Sequence, residues 1–237
     1  MKHIAQVFSF AVFVFLLSVQ PPSAQIAAEN LPDMSALRQV FGGVSDGSET
    51  VETITDEDGL IGSGIRVPDT GARGMMAREI AQGLGEATGD PAIADTLEPI
   101  FAQLVETVES EFPGLGFQKR DFGVSFAFFF LMNWQIANNV DLPEEIYKPV
   151  ARQLVQTIQA SYAKDEVQMS AGELDRQYDL MLTFPLAILA VVQSLEQNGQ
   201  ADDAAAMREV AGQTFEQVLG ISPYDIDITE AGIAGYD

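Results

Sequence analysis

Residues 121–139 read DFGVSFAFFFLMNWQIANN, with five phenylalanines and the chain's single tryptophan in one short stretch. Phe122, Ser125, Phe126, Phe129, Phe130, Asn133 and Trp134 recur at steps of three and four, the period of one helix face. Val124, Phe128, Leu131 and Met132 fill the other sides. A helix that is apolar nearly all round is a buried one. Its unbroken apolar part, 126–132, is too short to supply the roughly 20 residues that cross a bilayer. The stretch therefore predicts a core helix, opened by Asp121 as its N-cap.

The helical period continues on both sides. Downstream, a helix starting near Pro143 carries Ile146, Val150, Leu154, Val155, Ile158 and Tyr162 on one face. Ser170 and Glu173 have the spacing of a capping box. The apolar helix they open runs to Gln197, contains Pro185, and ends at Asn198-Gly199. A last helix, 202–219, stops at Gly220. Upstream, Asp90-Pro91 supplies an N-cap and a proline at the first helical position for a helix ending at Pro113-Gly114, with Pro99 inside it. Met75, Met76, Ile80 and Leu84 mark an earlier helix weakened by Gly83, Gly85 and Gly89. Short connections between amphipathic helices give antiparallel neighbours. The expected architecture over 72–237 is thus an all-α bundle of five to six helices, with 122–139 and 174–197 largely buried in its middle.

The first 24 residues have another character. Lys2 precedes an apolar run from Ile4 to Val19, which closes on Pro21-Pro22-Ser23-Ala24. That is the layout of a signal peptide, and it predicts export to the periplasm or the medium with no membrane span in the mature chain. Residues 25–71 read as an acidic, Gly-rich linker or arm. Between positions 42 and 71 there are seven glycines and seven acids, with a short hairpin over 50–55 and 60–67 as its one predicted element.

Composition excludes whole classes of function. The net charge of −23, from 35 acidic and 12 basic residues, repels phosphate and argues against nucleic-acid partners. There is no cysteine, and the single histidine, His3, lies in the segment expected to be removed. Without either residue, the mature chain cannot build a Ser-His-Asp triad, a Cys-His pair, a zinc site of the usual ligands or a histidine-ligated haem. No cofactor or metal site is expected. Asp225–Glu230 begins like a calcium loop, but Glu230 stands where the loop needs glycine, and Asp56-Glu57-Asp58-Gly59 is equally partial. Both are read as solvated turns.

The segments DFGVSFAFFFLMNWQ, VARQLVQTIQA, LMLTFPLAILAVV and FEQVLGISP occur in this order between about 92 and 223. In this order they resemble an uncharacterised family of exported bacterial proteins known only as a domain of unknown function. The resemblance implies a helical domain of the cell envelope or medium. It carries over no active-site residue.

Three functional readings remain. The first is a non-enzymatic exported protein acting through a protein partner. The second is a carrier with an apolar ligand between its helices, lined by Phe126, Phe129, Phe130, Trp134, Met181 and Phe184. The third is a hydrolase working through paired carboxylates.

Overall fold

The computed structural model describes residues 54–71, 74–88, 90–163 and 169–234. The expected signal peptide 1–24 and most of the expected arm lie outside the described residues. Ten elements follow in order. They are β1 (Ile54–Thr55), β2 (Ile61–Gly62), α1 (Met75–Thr88), α2 (Ala92–Glu111), α3 (Phe122–Asn138), α4 (Glu144–Ala163), α5 (Ala171–Gln197), α6 (Ala201–Leu219), β3 (Asp227–Thr229) and β4 (Gly232–Ala234). The six helices are the all-α bundle that the periodicity predicts.

The helix signals act where the sequence puts them. Asp121 caps α3 by accepting from the backbone N–H of Val124. Ser170 and Glu173 form a complete capping box at α5. Asn139 ends α3 and Gly220 ends α6 in the left-handed conformation. One cap falls a residue away from its expected place. Pro91 occupies the N-cap of α2, and Asp90 sits one position outside, with its carboxylate accepting from Ala92 N–H.

Helices α3 and α5 form the centre. From Phe122 to Ala137 every residue of α3 is buried. α3 packs against α4, α5 and α6, and α5 packs against α1, α2, α3 and α6. By length and composition α5 would cross a membrane, but 83% of its most apolar window is buried inside the bundle. Its apolarity is thus accounted for by protein on all sides.

The structure differs from the linear reading at both ends of the described chain. Ile61, Ile65 and Val67, which belong to the expected 25–71 arm, are buried. Residues 61–67 run alongside the entry to α3, where Ile61 N–H donates to Gly116, Gln118 N–H to Ile61, Val67 N–H to Arg120 and Phe122 N–H to Ile65. The end of the arm is an extended strap on the bundle. Near the other end, the expected solvated turn at Asp225–Glu230 is a 3-10 turn followed by the β3–β4 hairpin, which buries Ile226 and Ile228. Alternating residues over so few positions carry little signal in sequence. At 56–59 the turn is as expected, with Asp56 folding back to accept from Asp58 and Leu60 N–H.

Candidate functional site: a cleft among helix ends

The six residues expected to line a ligand site are all inside the packed core. Phe126, Phe129 and Met181 have no exposed surface, and Phe130, Trp134 and Phe184 have almost none. The Phe130 ring meets Phe215 edge-on at 4.8 Å and Phe126 at 6.3 Å. The Trp134 indole N–H donates to the Ile226 carbonyl at 3.1 Å, and Met181 Sδ takes a contact from Ser125 Oγ at 3.8 Å. All six side chains are thus enclosed by protein.

An open cleft lies elsewhere on the same two central helices. A cleft of about 830 Å³ opens where α2, α3 and α5 approach their C-terminal ends and the 139–143 connection leads into α4. Its apolar floor comes from Val108 and Phe112 of α2 and its cap, from Phe128, Met132 and Ile136 of α3, and from Leu189 and Val192 of α5. Phe112 and Phe128 meet edge-on at 6.0 Å. Positions 128, 132 and 136 are four apart, so a single stripe of α3 faces the cleft. Val140 stands at the rim and is 45% exposed, one of few large apolar residues left in solvent.

The polar lining is sparse and mostly engaged. Gln135 accepts from Leu142 N–H at 2.8 Å, which folds the connection back over the end of α3. Arg208, from α6, is ion-paired with Glu196. Glu144 is ion-paired with Lys148 at 2.7 Å, and that lysine holds its carboxyl below the usual range. Tyr147 is different. It lines the cleft and is only 6% exposed. Burial alone pushes its ionisation well above that of a free phenol. Nothing in the sequence marks Tyr147 or this stripe of α3, because both read as ordinary core.

A second cluster of chemistry-bearing residues lies beneath the strap, and each of its buried carboxylates accepts hydrogen bonds. Asp121 accepts from Ser63 N–H and from Ser63 Oγ at 2.9 Å. Gly123 lets Ser63 come this near, because a Cβ at that position would stand 2.6 Å from the serine Cβ. Asp175 accepts from Thr70 N–H and Oγ1 at 2.8 Å and pairs with Arg120 at 2.8 Å. Asp179 accepts from Gly74 and Met76 N–H, which serves the first turn of α1. Glu109 accepts from the Tyr178 hydroxyl at 2.8 Å, and that hydroxyl accepts from Arg120 N–H. Burial pushes the Asp121 carboxyl up against the hydrogen bonds from Ser63. At Asp175 burial works the same way, but the bonds from Thr70 and Arg120 outweigh it and hold the carboxyl low. Arg120, at the α3 entry, thus reaches across the bundle to Asp175. Acceptors this fully engaged are fasteners for Ser63, Thr70 and the first turn of α1.

No group of three His, Cys, Asp or Glu residues is placed to hold a metal ion among the described residues. Comparison with curated proteins and with solved structures returns no match. A family model does match, over residues 69–234, which takes in the last part of the strap and the terminal hairpin as well as the 92–223 span of the sequence resemblance. The chain belongs to that family, a family of unknown function, DUF6683.

Proposed function

We propose that the protein is a non-enzymatic binding protein, exported by its first 24 residues, that holds an apolar ligand in the cleft among the ends of α2, α3 and α5. The observation that carries this reading is the cleft itself. At about 830 Å³ it falls within the range of small-molecule sites, and its floor is apolar while the core beside it is filled. The absence of cysteine from the chain, and of histidine beyond position 3, supports binding over the commonest kinds of catalysis. Of the readings open from sequence, the carrier gains most from the geometry, with its site moved one face around α3.

The test is titration of the purified protein with the neutral fluorophore N-phenyl-1-naphthylamine. Saturable enhancement near one equivalent is expected. Leu189→Trp fills the floor and should weaken binding by about tenfold or more, roughly 1.4 kcal/mol, while the thermal midpoint stays close to that of the parent. Enhancement that never saturates, or that Leu189→Trp leaves untouched, rejects the cleft as the site.

A further inference from the structure

On the α3 wall of the cleft one polar side chain stands among apolar ones. Gln135 lies seven residues after Phe128 and three after Met132, which puts the three on one face of α3. It lines the cleft and is 7% exposed. The orientation of its amide is fixed. Leu142 N–H donates to Oε1 at 2.8 Å, and only the oxygen of an amide can accept that bond. The Nε2 end is therefore turned to Met132, whose Sδ lies 3.9 Å away and also lines the cleft. That sulfur is the one acceptor Nε2 has among the described residues. A thioether accepts weakly, and the amide has two N–H groups to place.

The charges around the cleft are already matched. Arg208, the one cation of the lining, is paired with Glu196, and Glu144 is paired with Lys148. Asp141, the remaining charged residue of the lining, is exposed to solvent. An ionised ligand would lose its hydration there with no unmatched buried charge to meet it. Resting on the cleft as the binding site, we infer that its ligand is uncharged and carries a carbonyl oxygen, as a ketone or ester does, on an apolar chain. The chain lies on Phe128, Met132 and Leu189. The carbonyl oxygen accepts from Gln135 Nε2 and takes the place of the sulfur as the stronger acceptor. Because Leu142 already holds the amide, binding requires little further ordering of that side chain.

The experiment displaces N-phenyl-1-naphthylamine from the purified protein with four ligands of one chain length: 2-octanone, oct-1-ene, octanoate and octylammonium. 2-Octanone is expected to displace the probe at concentrations about tenfold below either ion. Gln135→Met removes the donor at similar volume. It should weaken 2-octanone about tenfold, because the desolvated carbonyl then has no partner, and change oct-1-ene by less than about twofold. Equal losses for the ketone and the alkene overturn the inference, and so does an ion that displaces the probe as well as the ketone does. Gln135→Met also takes the acceptor from Leu142 N–H, so a second measurement uses the parent protein. The carbonyl stretch of isotope-labelled 2-octanone, bound to the parent, should lie at lower wavenumber than in hexane. A bound band at the hexane position overturns the inference. All these failures leave the cleft reading intact while the fluorophore still binds. Failure of the fluorophore itself to bind defeats the cleft reading, and the inference with it.

Discussion

Two faces of α3 carry nearly the same residues and meet opposite fates. On one, Phe126 packs against Phe130, and Phe130 meets Phe215 edge-on, all three fully or nearly fully buried. On the other, Phe128 and Met132 are as apolar and almost as buried, yet they border an open cleft. The difference lies in what stands opposite. α6 packs against the first face. The second face looks toward the ends of α2 and α5, where the helices stop and the chain turns. The contrast teaches that a packed interior and a binding cleft are made of the same side chains. Where the neighbouring helices end decides which one forms.

Substitutions can break that contrast. Phe129→Ala, at a fully buried site, should lower the unfolding free energy by about 3–5 kcal/mol, since it leaves a cavity as well as losing transfer energy. Phe128→Ala borders space that is already open and should cost only about 2 kcal/mol, the transfer part. Urea denaturation of both variants gives the comparison, and equal losses would erase the distinction between the faces.

The strap offers a sharper electrostatic version. Arg120→Met deprives the fully buried Asp175 of its cation and should cost about 3 kcal/mol at neutral pH. That loss requires an ionised Asp175. Because its folded pKa is lowered, its stabilisation is complete above the ordinary carboxylate range, about 4, and drains away as pH falls through the folded value. The gap between parent and variant should therefore narrow as pH falls below about 4. A gap that stays constant would detach Asp175 from the pairing. Asp121, pushed up by burial, acts with the opposite sign, stabilising most in acid. It is present in both proteins and cancels in the difference.

The smallest effects test free volume directly. Ala211→Leu, on the packed α6, should cost about 1–3 kcal/mol through overpacking. Val192→Leu adds bulk where the cleft can take it and should stay within about 0.5 kcal/mol of the parent. Thermal midpoints that fall alike would mean that the cleft closes in solution.

Much of the scaffold was legible in the residues. The three- and four-step recurrence through 121–139, the Asp121 cap, the Ser170–Glu173 box and the stops at Asn198-Gly199 and Gly220 are local signals, and each acts within a turn or two of itself. The resemblance over 92–223 pointed to the family that the chain belongs to. The site was far less legible. Five of the six expected lining residues are aromatic, and all six have their large apolar surfaces buried in the core. The strap was missed because Ile61, Ile65 and Val67 sit among glycines and acids that read as loop, and their burial depends on Gly116–Phe122 lying alongside.

The sequence by itself determined the helices, their order and which two would be central, since hydrophobic periodicity and caps are carried by neighbours along the chain. It also determined the acidic field, through residue counts alone. Only the tertiary structure decided which face of α3 stays open, and that Asp121, Asp175 and Asp179 fasten a segment far upstream. Those outcomes depend on contacts between residues distant in sequence, and nothing local encodes where one helix stops relative to another.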